Sequence, residues 1–277
     1  MPELPEVEVT RLGIQPHLAG RSLLGATVRE PRLRWPVPAD LDQRLAGCTI
    51  ADVDRRAKYI LLRLAPAGGV LIHLGMSGSL RVVPGGEAPL RHDHVDLALD
   101  NGRVLRFHDP RRFGAMLATD NDPADHPRLH GLGPEPLEPD FTGAHLYSRT
   151  RTRKGAGRTT PVKAFLLDAG VVVGVGNIYA NEALFRAGIR PDRRAGDLGE
   201  EGCERLAGTL AAVLEEAIAA GGTTLRDFAR SDGSPGYFRQ ALAVYGRSGE
   251  PCPACGQALA QMAVAQRSAF YCPACQT

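Results

Sequence analysis

The chain has 277 residues and a formal net charge of +2, with a pI near 8.3. This length has room for two cores and a small appendage, and no apolar run approaches the roughly 20 residues that cross a membrane. The start lacks the basic and apolar regions of a secretory signal, so the chain reads as cytoplasmic; its basicity falls short of the pI above about 9 of an obvious nucleic-acid domain, so the placement of charge must identify partners.

The chain begins "MPELPEVE". Pro5 suits the first turn of a helix, and Glu6 and Glu8 complement its dipole. Leu4, Val7, Leu12, Ile14 and Leu18 predict a helix from Leu4 to about Leu18 facing a sheet, with Pro16 awkward inside it. The signals that follow, to about Leu132, are mainly β. "YILLRL" (Tyr59–Leu64) and "VLIHLGM" (Val70–Met76) are short apolar runs, and "HVDLALDNGRVLRF" places Asn101-Gly102 between alternating strands. A loop rich in Pro, Gly and His (Pro123–Pro139) and a basic stretch, "RTRKGAGR", read as solvated linker. From Val162 the pattern becomes helical: "VKAFLLD", "NIYANEALFRAG" and "EGCERLAGTLAAVLEEAIAAGG", with Gly221-Gly222 as a stop. The expected layout is an α+β multidomain chain: a β-rich domain over 1–135, a linker over 136–160, a helical domain over 161–240, and a metal-bound β-hairpin over 244–277.

Four of the six cysteines form Cys252-x2-Cys255-x16-Cys272-x2-Cys275. In a cytosolic chain this spacing indicates one structural Zn2+ rather than disulfides, because four thiolates close a tetrahedral shell and leave no open position for catalysis. Cys48 and Cys203 read as ordinary buried thiols. "GVGNIYANE" puts glycines before Asn177 at a helix start, which suits a polymer phosphate, although a tight helix–helix connection explains it equally well. No dinucleotide fingerprint accompanies it, so no nucleotide cofactor is expected. "HDPRRFG" groups Arg111, Arg112 and Phe113, a pattern suited to phosphates, base edges and a wedged base step or to a plain surface turn. "HLGMSG" sets Met76 at a glycine-flanked tip, and "QRSAFYC" places Arg267 near the metal hairpin.

A helix start does not account for Pro2-Glu3. Initiator methionine is normally trimmed before proline, which leaves a secondary amine. An α-amino group with a pKa near 8 has a usable neutral fraction near neutrality, so it can attack an electrophilic carbon and form an iminium. Glu3 is the adjacent candidate proton donor. The chain has just three lysines, Lys58, Lys154 and Lys163, which narrows any other amine chemistry.

Taken in order, "MPELPEVE", "RRAKY", "HLGMSG", "HDH", "DPRRFG", "GVGNIYANE", "GGTTLRDF", "DGSPGYF" and "QRSAFYCPACQ" resemble bacterial formamidopyrimidine-DNA glycosylases over nearly the whole chain. The resemblance implies an N-terminal β-sandwich with flanking helices, a helix–two-turn–helix domain and a zinc-finger hairpin. It implies a monomeric enzyme of base excision repair that removes 8-oxoguanine and ring-opened purines from damaged double-stranded DNA, then cleaves the backbone by β- and δ-elimination. On that basis Pro2 is the nucleophile, Glu3 the proton donor and Glu6 a supporting group, while Lys58 assists β-elimination and Arg267 assists δ-elimination. Met76, Arg111 and Phe113 fill the gap left by the extruded base. His73, His92, Lys163 and Asn177 follow the phosphates. The segment from Thr223 to Tyr237, with Thr224 and Arg226, covers the lesion. The basic residue expected shortly before Lys163 has Arg158 as its nearest candidate, a weaker match.

Two rivals remain at this point. The sister family that removes oxidised pyrimidines begins "PEG" and lacks "DPRRFG", so this sequence sides with the purine enzymes. A zinc-containing DNA-binding protein without catalysis would not need Pro2, Glu3, Lys58 and Arg267 together.

Overall fold

The computed structural model describes residues 2–222 and 242–277. They fall into two compact units, one holding 2–130 and 220–222, the other 131–219 and 242–277.

In the first unit, helix α1 (Leu4–Leu18) runs unbroken through Pro16. Its inward face is Leu4, Val7, Thr10, Ile14 and Leu18, spaced three and four residues apart as one helical stripe requires. Leu12, expected on that face, is exposed instead, because it lies a turn-fraction off the stripe. Eight strands follow: β1 (Leu23–Val28), β2 (Thr49–Arg56), β3 (Tyr59–Ala65), β4 (Gly69–His73), β5 (Ser79–Pro84), β6 (Asp93–Leu99), β7 (Arg103–His108) and β8 (Ala115–Thr119), with a short helix α2 (Leu41–Leu45) after β1. They form two antiparallel four-stranded sheets, β2-β3-β4-β8 and β1-β6-β7-β5.

Alternate residues of each strand enter one shared core. Ile60 and Leu62 of β3 and Val70 and Ile72 of β4 meet Leu97 of β6, Leu105 and Phe107 of β7, and Ile14 and Leu18 of α1. Each fully buried aliphatic side chain contributes about 1.5–3 kcal/mol. Two sheets sharing a core make the expected β-sandwich. The β6–β7 connection turns at Gly102, φ +75°, as the Asn101-Gly102 signal requires.

In the second unit, α3 (Gly143–Arg149) lies within the segment read as linker. Thr142 caps it, its Oγ1 accepting from His145 N–H at 3.1 Å, and α3 packs on α6 (Glu200–Ala219). Helices α4 (Val162–Leu166) and α5 (Asn177–Arg186) occupy the expected positions, and α6 buries Leu206, Leu210, Val213, Leu214 and Ala217. Past α6, Gly221 and Gly222 both take positive φ. Strands β9 (Ala260–Val264) and β10 (Arg267–Tyr271) form the C-terminal hairpin, which packs on α5 through Phe185 and Phe270.

Candidate nucleic-acid interface and N-terminal site

Pro2, Glu3 and Glu6 are all buried, with Glu3 at 2% and Glu6 at 0% exposure. Glu3 is the N-cap of α1. Its N–H donates to Glu6 Oε2 at 2.8 Å, and the Glu3 side chain returns the contact to the Glu6 backbone. This is a capping box built from two acids, so helix chemistry accounts for more of Glu3 than the sequence indicated. Glu8, further along, is ion-paired to Arg11 and Arg55. Burial acts to raise its pKa, but the two guanidinium groups outweigh it and hold the carboxyl below its usual range.

Lys58 sits in the two-residue turn between β2 and β3, where Ala57 takes φ +55°. Tyr59 and His73 are paired across β3 and β4, with ring centroids 4.9 Å apart. Gly75 N–H donates to His73 Nδ1 at 3.0 Å, which leaves the neutral ring's proton on Nε2. Burial, then the charges of Arg34 and Lys58, push His73 down to about 4. His73 is therefore a neutral Nε2–H donor at physiological pH.

The Met76 tip and the Arg111–Phe113 loop come together. Gly75, φ +66°, lies so close to the Phe113–Gly114 backbone that an added Cβ would fall 2.3 Å from Phe113 C. Met76 is half-buried, Phe113 is 46% exposed, and Arg111 Cζ lies 5.1 Å from the Phe113 ring centroid. The residue that shapes this loop is the buried Asp109, which the sequence reading missed. Asp109 Oδ2 accepts from Gly114 N–H at 2.7 Å, and Oδ1 accepts from Ser77 Oγ at 2.6 Å. The only local signal was an aspartate opening a turn.

His92 is half-buried, its ring about 6 Å from those of His94 and His108. Desolvation, then Arg91 and the two histidines, lowers its pKa. Its loop is tied to the sheet by a buried ion network that was also missed. Arg106, 1% exposed, pairs bidentately with Asp96 and donates to the carbonyls of Glu87 and Ala88, and Asp93 accepts from Leu90 N–H.

In the second unit, Lys163 is fully buried and its ammonium donates to Ser268 O. Asn177 opens α5, and its Oδ1 is buried without a partner among the described residues. Arg158 is half-buried, its backbone bonded to Thr150 and Gly196. Arg267 is exposed at the start of β10, directly after Ala265 and Gln266, both with positive φ. Asn181, another residue missed, accepts from Phe270 N–H at 2.7 Å, so α4 and α5 both grip the strand that begins with Arg267. Glu182 accepts from three successive N–H groups, Ala243, Val244 and Tyr245. Thr223, Thr224, Arg226 and Tyr237 lie outside the described residues.

Cys252, Cys255, Cys272 and Cys275 bring their sulfurs within 4.8 Å of one another. A tetrahedron with Zn–S of about 2.3 Å has edges near 3.8 Å, and the pairs Cys252–Cys275 and Cys255–Cys272 are at 3.9 and 3.5 Å. Contacts with Cys255 and Cys272 push Cys275 up to about 12, a mutual penalty that a divalent cation removes. The donor set fits one structural zinc. No helix among the described residues is long and apolar enough to span a membrane.

Comparison with known proteins agrees with this architecture. Residues 1–116 match the formamidopyrimidine-DNA glycosylase N-terminal domain, 132–229 its H2TH domain, and 249–277 the zinc finger found in FPG and IleRS. The formamidopyrimidine-DNA glycosylases of Alkalilimnicola ehrlichii and Halorhodospira halophila are 58% and 57% identical, each match covering both chains completely. The crystal structure of the Thermus thermophilus Fpg protein is 41% identical with a TM-score of 0.87, covering 99% of this chain and 98% of that one. A Lactococcus lactis Fpg mutant in complex with DNA containing Fapy-dG is 30% identical with a TM-score of 0.90, both chains fully covered. The chain belongs to the formamidopyrimidine-DNA glycosylase family.

Proposed function

We propose that this chain is a base excision repair enzyme that removes oxidised purines, 8-oxoguanine and ring-opened formamidopyrimidines, from duplex DNA and then cleaves the abasic strand. The observation that carries this reading is the burial of Pro2 beside two buried carboxylates, Glu3 and Glu6, at the head of α1. Catalysis needs the neutral amine that removal of Met1 leaves on Pro2. Its nitrogen forms a bond to C1′ of the damaged nucleotide while the glycosidic bond breaks, the electron pair and a proton going to the leaving base. Ring opening follows: Glu3 protonates the departing O4′ and the nitrogen loses its proton, giving the iminium. Loss of a C2′ proton then expels the 3′ phosphate, which Lys58 assists, and a second elimination expels the 5′ phosphate, which Arg267 assists.

A base inside the stack cannot be reached at C1′, and extrusion costs a few kcal/mol. Met76, Arg111 and Phe113 fill the vacated space in this reading, supported by the meeting of their two loops at Gly75. His73 and His92, with Asn177 of the second unit, serve the phosphates, and Arg158 is a weaker contact of the same kind. Lys163, expected beside them, is fully buried with its ammonium on Ser268 O, so in this reading it holds the strand that begins with Arg267 and does not touch DNA directly. Zinc, held by Cys252, Cys255, Cys272 and Cys275, shapes the hairpin that presents Arg267, and no nucleotide cofactor takes part. The same reading has the protein act as a cytoplasmic monomer, with domains over 1–135, 161–240 and 244–277 joined by 136–160.

Borohydride reduction during turnover tests the activity. Covalent trapping on an 8-oxoguanine duplex, and little on an oxidised-pyrimidine duplex, is expected. Trapping on neither reduces the protein to a binder, and preference for the pyrimidine places it with the sister family.

A further inference from the structure

Arg34, Trp35 and Arg128 make a basic and aromatic cluster in the first unit that none of the roles above uses. Arg34 Cζ lies 4.7 Å and Arg128 Cζ 3.5 Å from the Trp35 ring centroid. The two guanidinium carbons are therefore at most about 8 Å apart, within a Debye length at physiological salt. Both arginines are exposed and Trp35 is half-buried. Neighbouring arginines are neutralised, Arg29 by Asp96 and Arg32 by Glu30. Arg34 and Arg128 have no carboxylate partner among the described residues. Two like charges gathered on one indole without an acid oppose each other, and a bound anion removes that opposition.

The cluster adjoins the parts already described. Arg34 N–H donates to Gly114 O at 3.0 Å, at the end of the loop carrying Arg111 and Phe113. The Arg34 charge reaches His73, as the Lys58 charge does, and both Arg34 and Arg128 act on Tyr59, the ring partner of His73. A guanidinium lying over an indole face can leave an N–H edge free to point away from the ring, as a bidentate contact with phosphate oxygens requires.

We propose that Arg34 and Arg128, oriented by Trp35, form a phosphate-binding subsite for a DNA strand that continues the line of Lys58 and His73. The subsite rests on the DNA-repair reading above and adds contacts which that reading does not contain.

The test is equilibrium binding to an abasic-analogue duplex across a salt series, comparing the wild type with the R34Q/R128Q and R34K/R128K variants. Each neutralised phosphate contributes about 0.9 to the slope of log K against log salt. The glutamine variant should therefore lose up to about 2 from the slope and bind about tenfold more weakly or worse at physiological salt, while the lysine variant keeps most of the slope. Trp35 is the single tryptophan, so its emission should change when wild-type protein binds DNA, and change less in the glutamine variant. A glutamine variant with wild-type slope and affinity overturns the subsite, even if its melting temperature falls, because that result marks a structural clip. A wild-type protein that binds no DNA overturns the repair reading itself.

Discussion

Ser77 Oγ donates to Asp109 Oδ1 at 2.6 Å, joining two loops 32 residues apart in sequence. Arg111 N–H donates to the same Ser77 Oγ at 3.1 Å, and Gly114 N–H closes the loop on the other Asp109 oxygen. One buried carboxylate thus fixes both the turn that carries Met76 and the loop that carries Arg111 and Phe113.

Asp109→Ala removes the acceptor for several donors at once. Each unsatisfied buried donor costs about 1–3 kcal/mol, so a loss of about 3 kcal/mol or more in chemical denaturation is expected. Ser77→Ala should cost about 1 kcal/mol. Lesion excision should fall in the same order, and an Asp109→Ala protein with wild-type stability would contradict the assignment.

His73 makes stability depend on pH. Its folded pKa of about 4 lies below the usual imidazole value of 6.5, so the unfolded chain binds the proton first. The stabilisation is complete above pH 6.5 and is lost as pH falls towards 4, by roughly 3 kcal/mol in all. His73→Asn retains an acceptor for Gly75 N–H and should flatten this part of the stability–pH curve. Equal slopes for the variant and the wild type would remove His73 as the cause.

The hairpin turn before Arg267 holds Ala265 and Gln266 at φ +48° and +59°. Non-glycine residues in the left-handed region are strained. Gln266→Gly should raise the stability of the zinc-bound protein by about 0.5–1 kcal/mol, seen as a higher melting temperature. A lower melting temperature would show that the Gln266 side chain contributes more than the strain removes.

Asn181 separates acceptance from bulk. Asn181→Ala leaves Phe270 N–H unsatisfied, at about 1–3 kcal/mol, and should speed loss of zinc to a chelator. Asn181→Asp keeps the oxygen that accepts from Phe270 N–H but loses the amide that donates to Asn177 O, so it should lose zinc faster than the wild type and more slowly than Asn181→Ala. If both variants lose zinc equally fast, the bond to Phe270 is not what holds the hairpin.

Much of the fold was legible because it is written in local patterns. β3, the β6–β7 hairpin, α5, α6 and the cysteine knuckles each announce themselves by period or spacing within one segment. Helix α3 did not, because seven residues barely complete two turns and its cap, Thr142, sits in a Pro- and Gly-rich run. The organising polar residues were hidden for another reason. Asp109, Arg106, Asn181 and Glu182 act on backbone groups brought near only by folding, up to 89 residues away for Asn181 and Phe270. Lys163, which the resemblance puts on the phosphates, is fully buried, because its partner Ser268 O lies 105 residues away and is brought near only by folding. Leu12 looks like core and is exposed.

The central claim is that the amine of Pro2 carries the chemistry. Trimmed protein reduced with borohydride on an 8-oxoguanine duplex, digested and mapped by mass spectrometry, tests it directly. The predicted result is a sugar adduct on the N-terminal peptide at the Pro2 nitrogen, absent from protein retaining Met1. An adduct on Lys58 instead, or full trapping with Met1 in place, would contradict it.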